Sequence, residues 1–205
     1  MTAVWMTARG AGLSALLLLS ITTAIGVVVS GRGRATTRVV VQYVHRVAAS
    51  LGLGVLLLHI GTILADSYAH VGVRGAVVPF TSSFRATWVG LGTIAAYTFL
   101  AVAALGFARG RMAGSTRGAA IWRAVHMSSY AGWAIAMVHG VYSGTDTSVP
   151  WVRWLYVICG GLVVGALAAR LADGRRTDLV RGAAAYRSAP PSRSAPVRIP
   201  QETSR

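Results

Sequence analysis

The sequence predicts an all-α fold, an integral membrane helical bundle of about five transmembrane helices, and three observations carry that prediction. Apolar residues make up 54% of the chain and charged ones only 12%, well under the charged share of an ordinary soluble domain. The apolar residues gather into five runs, Leu13 to Val29, Val47 to Leu64, Trp88 to Phe107, Ala119 to Val141 and Trp151 to Leu171. Each is long enough, or nearly so, to cross a hydrocarbon core at helical rise. The net charge of +15 rests on arginine alone, without a lysine, and the arginines concentrate in alternate connections between the runs.

The first run follows Arg9 and has the outline of a secretory signal. It is longer than a signal's apolar region and no small-x-small cleavage site follows it, so it is read as a retained helix. Runs two to five are separated by polar, basic or glycine-rich connections. After the fifth, residues 173–205 hold arginine, alanine, serine and four prolines with no apolar face. That composition predicts a basic, disordered cytoplasmic tail behind one membrane domain of residues 1–172.

A charge of +15 is compatible with nucleic acid, but its placement excludes that partner in favour of a lipid bilayer. Arg32, Arg34 and Arg38 lie between runs one and two, Arg109, Arg111 and Arg117 between three and four, and Arg170, Arg175 and Arg176 after five. The intervening connections hold Arg74 and Arg85 with Asp66, and Arg153 with Asp146. By the positive-inside rule the chain is a multi-pass protein of the cell membrane, with its arginine-rich connections and C-terminus cytoplasmic and its N-terminus outside. Arg9 alone argues against the last assignment.

Four of the five histidines belong to these helices, where an ionisable side chain is costly and marks a functional position. His45 and His59 belong to the second span, fourteen residues apart, and His126 and His139 to the fourth, thirteen apart. Those intervals correspond to about 21 Å and about 20 Å along a helix axis. Both spans start from the cytoplasmic face, so the helices run parallel, and depth pairs His45 with His126 and His59 with His139. Fourteen residues return to within about 40° of one helix face, whereas thirteen leave His126 and His139 about 140° apart. The fourth helix must therefore distort, near Gly132, or be approached from different sides. His70, in an outer loop without a partner, is read as structural or solvent-exposed.

Two imidazoles at one depth suit the axial positions of haem iron, which predicts two non-covalent haems b between the second and fourth helices. Such an iron has no open position and transfers electrons, so two in series form a relay across the membrane. Zinc would need three or four ligands, and no carboxylate or thiolate accompanies either pair. Cys159 is the single cysteine, which excludes an intrachain disulfide, a cysteine-based metal site and a covalent C-x-x-C-H haem.

The neighbours of the histidines are less specific. Arg46 follows His45 and Arg123 precedes His126 by one turn; both are candidates to pair with haem propionates, and snorkelling explains them equally. Gly52, Gly54, Gly61, Gly132 and Gly140 would admit a flat macrocycle or a neighbouring helix. Trp88, Trp122, Trp151 and Trp154, with Tyr43, Tyr68 and Tyr142, fit interfacial anchors. Trp133 lies deeper, as core packing or beside a macrocycle. A function of another class stays open at this point: a haem-free proton or solute transporter using the histidines as a protonation relay, disfavoured by the absence of intramembrane carboxylates.

The run from Ile121 through Trp122, Arg123 and His126 to Tyr130, continued by Met137, His139 and Gly140, resembles the second ligand helix of the ferric reductase-like transmembrane domain family. Val78 to Arg85, followed by Trp88 to Gly92, resembles that family's outer loop and next helix. The family includes the membrane parts of ferric reductases and NADPH oxidases and a bacterial haem-binding subunit of methionine sulfoxide reductase. The resemblance runs from about Gln42 to Val157, and the paired histidine intervals are its mark. It implies two haems b, the inner iron on His45 and His126 and the outer on His59 and His139, with electrons passing from a cytoplasmic flavin to an acceptor outside. The thirteen-residue interval is then a family trait. Larger members append flavin and nicotinamide domains where this chain has a short basic tail. The resemblance therefore implies that flavin and NAD(P)H act through a separate cytoplasmic reductase, with this chain as the electron-transfer subunit of a membrane oxidoreductase. The acceptor stays open among ferric iron, oxygen, a quinone, a periplasmic flavoprotein and an oxidised protein.

Overall fold

The computed structural model of the chain describes residues 3–29, 35–67, 69–112 and 114–188. They form six helices: α1 (Ala3–Val29), α2 (Ala35–Ala65), α3 (Gly72–Val77), α4 (Ala86–Met112), α5 (Thr116–Ser143) and α6 (Pro150–Ser188), with no strand among the described residues. Arg32, Arg34 and Tyr68 fall outside the described residues.

Four of these helices, α1, α2, α4 and α6, are long and apolar enough to cross a membrane. The remaining long helix, α5, has 28 residues, but Arg117, Arg123, His126, Ser128, Ser129 and His139 dilute its apolar run, and by composition it does not join that group. Its start is set locally: Ser115 is extended and its hydroxyl accepts the Gly118 N–H at 3.0 Å.

By its contacts the chain divides into two units, Met1–Arg170 and Leu171–Arg205. Within the first, α1 packs along α2 and α4 along α5, while α1 also meets α5. Both main pairs are antiparallel: Ala8 lies beside His59 and Thr22 beside His45, and Trp88 lies beside His139 while Arg109 lies beside Trp122. The first part of α6 closes on the other side of α1, where Val152, Tyr156 and Cys159 form a buried cluster with Leu16, flanked by Ala136 and Met137 of α5. The Trp133 indole N–H reaches across from α5 to donate to Ser20 Oγ of α1 at 2.9 Å. Trp133 is thus a packing residue tied by a hydrogen bond.

Three of the glycines singled out in the sequence serve helix packing. A Cβ on Gly52 would stand 3.1 Å from Leu19 of α1, one on Gly132 2.8 Å from Thr98 of α4, and one on Gly140 2.8 Å from the Tyr156 hydroxyl of α6. Gly54 and Gly61 face open space.

In the second unit α6 continues to Ser188, past Asp173, where the sequence predicts the tail to begin. Residues 171–188 are rich in alanine, arginine and leucine, all strong helix formers, and the first proline after Pro150 is Pro190. Helix propensity thus outweighs the missing apolar face. Residues 189–205, the rest of the predicted tail, fall outside the described residues.

Candidate functional site: two facing histidine pairs

The site is built from two helices that do not pack on one another. α2 rests on α1 and α5 on α4, and the histidines face each other across the space between. The His45 and His126 ring centroids are 6.1 Å apart with the planes at 57°, and those of His59 and His139 are 6.5 Å apart at 69°. These contacts join the early parts of α2 and α5 to each other, and likewise the later parts, so the two helices run parallel. α5 stays helical through Gly132, so the thirteen-residue interval is met without a break in the helix.

Three of the four rings are held by backbone. His45 Nδ1 lies 3.0 Å from the Thr22 carbonyl oxygen, His59 Nδ1 2.7 Å from that of Ala8, and His139 Nδ1 2.7 Å from that of Trp88. A carbonyl only accepts, so each Nδ1 carries the proton and each Nε2 keeps its lone pair. That is the tautomer a metal ligand needs, with the far nitrogen oriented by a second hydrogen bond. Ser143 Oγ adds a contact to His139 Nδ1 at 3.2 Å.

His126 differs. Its Nδ1 is buried without a hydrogen-bond partner, as is Nε1 of Trp122 one turn earlier. The two rings stack at 4.9 Å and 18°, and the Arg109 guanidinium of α4 lies over the indole, 4.6 Å from its centroid. Trp122 was read as an interfacial anchor, and its contacts place it beside a site histidine. Arg46 and Arg123, the cations adjacent to the histidines in sequence, are both exposed. The cation that reaches the neighbourhood of His126 is Arg109, which no local spacing singles out.

A cavity of about 200 Å³ opens beside the His59 and His139 pair, bounded by Trp5 and Gly12 of α1, Gly92 of α4 and, at one edge, Arg9 and Asp146. Arg9 and Asp146 form an ion pair. His70 is exposed at φ 50°, and its carbonyl accepts from Ser83 Oγ at 2.9 Å, so its backbone rather than its ring is what the loop uses.

Among the described residues no group of three or more histidine, cysteine, aspartate or glutamate side chains is placed to hold a metal ion. Each pair therefore offers two nitrogen donors and no third protein ligand. That arrangement suits a metal whose other positions are filled by a group it brings with it. No protein-family model, curated protein or solved structure matches this chain.

Proposed function

We propose that the chain carries electrons across a membrane through two haems b, one held by His45 and His126 and the other by His59 and His139. The observation that carries this reading is the ring separation. Two imidazoles bound on opposite sides of one metal, each through a nitrogen at about 2.0 Å, have their centroids about 6.3 Å apart. The two pairs stand at 6.1 Å and 6.5 Å. His45 with His126 and His59 with His139 would each hold one haem through their Nε2 atoms, and a bound haem would supply one-electron redox chemistry there. The open side of α2 fits the same reading, because α2 is the least buried of the four long apolar helices.

The residues of the chain have defined tasks here. Thr22, Ala8 and Trp88 hold three imidazoles through their carbonyls, with Nε2 free to ligate. Trp122 holds the fourth by stacking. The helices α1 and α4 exclude water from behind the rings. The five-span topology, with α5 as a span despite its polar residues, puts the His45 and His126 pair on the cytoplasmic side with Arg109 and Arg117. A separate flavin-dependent reductase would donate there, and an acceptor on the outer face would take electrons beyond His59 and His139. The resemblance to ferric reductase-like membrane domains supports the same assignment.

The test is to purify the full chain in detergent from haem-replete cells, determine the haem-to-protein ratio, and record oxidised and dithionite-reduced spectra. Two haems per chain with six-coordinate b-type spectra are expected. A protein that binds no haem under these conditions overturns the proposal.

A further inference from the structure

The three backbone-held histidines share one device. Each docks on a carbonyl whose residue lies four positions before a glycine: Ala8 and Gly12, Thr22 and Gly26, Trp88 and Gly92. In a helix the Cα–Cβ bond leans toward the N-terminus, so a side chain lies over the turn before it and over the carbonyl four residues back. That carbonyl already accepts from the helix, but its second lone pair is accessible if the residue above has no Cβ. The built-in room is tight. A Cβ would stand 2.5 Å from His139 Cε1 at Gly92, 3.0 Å from His59 Cε1 at Gly12, and 3.3 Å from His45 Cε1 at Gly26.

The fourth histidine has no such cradle. His126 Nδ1 is left buried without a hydrogen-bond partner, and its ring stacks on Trp122.

We propose that Gly12, Gly26 and Gly92 are positioning residues for His59, His45 and His139, and that the two metal sites differ in ligand strength because His126 lacks the same hold. This rests on the haem reading given above. A hydrogen bond from Nδ1–H makes an imidazole a stronger donor and favours the oxidised metal. The His59 and His139 site has two such bonds and the His45 and His126 site one. Ligand strength alone therefore pulls the outer potential below the inner.

The experiment is a potentiometric titration of the full haem-loaded chain, followed by absorbance and by the low-temperature EPR g-values of the two ferric haems. Gly92→Ala, the tightest position, is expected to raise one potential and shift its g-values while the other stays. Gly26→Ala acts in the same sense and more weakly on the other haem. Potentials indifferent to Gly92→Ala and Gly26→Ala in chains that retain both haems overturn the inference. The ring ¹⁵N shifts of the haem-free chain at neutral pH separate this from failure of the haem reading. Nδ1-protonated tautomers at His45, His59 and His139, with His126 the exception, uphold the cradles even if no haem binds, and an Nε2-protonated His139 overturns them.

Discussion

Trp133 and Ser20 meet between the two histidine pairs: the indole N–H of α5 donates to the hydroxyl of α1 at 2.9 Å, and that hydroxyl donates on to the Leu16 carbonyl at 2.7 Å. Ser20 is fully buried. Ser20→Ala strands the indole N–H, a loss on the order of 1–3 kcal/mol for a buried donor. The thermal midpoint of the purified chain should fall, and Ser20→Thr, which keeps a hydroxyl, should restore part of it. An unchanged midpoint for Ser20→Ala would show that the bond contributes nothing.

The facing pairs make a specific demand on single variants. His45→Ala or His126→Ala should each remove one haem, and His59→Ala or His139→Ala the other, because a ring at 6.1 Å or 6.5 Å from its partner has no second partner to turn to. The haem-to-protein ratio should drop from two to one in every case. Retention of two haems in any of the four contradicts the pairing.

Trp122 acts on His126 through ring contact, where the other three imidazoles have a backbone carbonyl at Nδ1. Trp122→Phe keeps a stacking face and should keep both haems, while Trp122→Ala should lower occupancy of one haem only. Spectra of the reduced protein, compared with those of His126→Ala, identify which one is lost. Equal loss from both sites in Trp122→Ala would point to a folding defect instead.

Arg85 ties the connection before α4 to the end of α5, its guanidinium donating to the Tyr142 carbonyl at 2.6 Å while its own backbone sits at φ 43°. Arg85→Ala loses the hydrogen bond and keeps the left-handed backbone, whereas Arg85→Gly loses the bond but relieves a conformation that costs a side-chain-bearing residue about 1–2 kcal/mol. Arg85→Gly should therefore melt above Arg85→Ala. The reverse order would mean that the backbone at this position carries no strain.

The proposed orientation is open to labelling. Cys159 is fully buried, so the native chain is a silent background for a membrane-impermeant maleimide in intact cells. Ser148→Cys, exposed in the connection after α5, should label from outside, and Gly114→Cys, exposed before α5, only after permeabilisation. Labelling of Gly114→Cys in intact cells would invert the topology.

Much of this molecule is legible one residue at a time. Apolar runs, proline positions and helix propensity determine where the long helices lie, and the histidine intervals single out His45, His59, His126 and His139, because these properties depend on near neighbours along the chain. Local composition also matches the length of α6, where alanine, arginine and leucine accompany a helix without an apolar face as far as Ser188. What only the tertiary structure decided lies between helices: Arg109 over Trp122, Gly92 behind His139 and Ser20 under Trp133. The fourteen-residue repeat of Gly12 and Gly26 in α1 echoes His45 and His59, yet it acquires meaning only when antiparallel register sets each glycine behind a ring. Register is fixed by packing over whole helices, and no local spacing carries it.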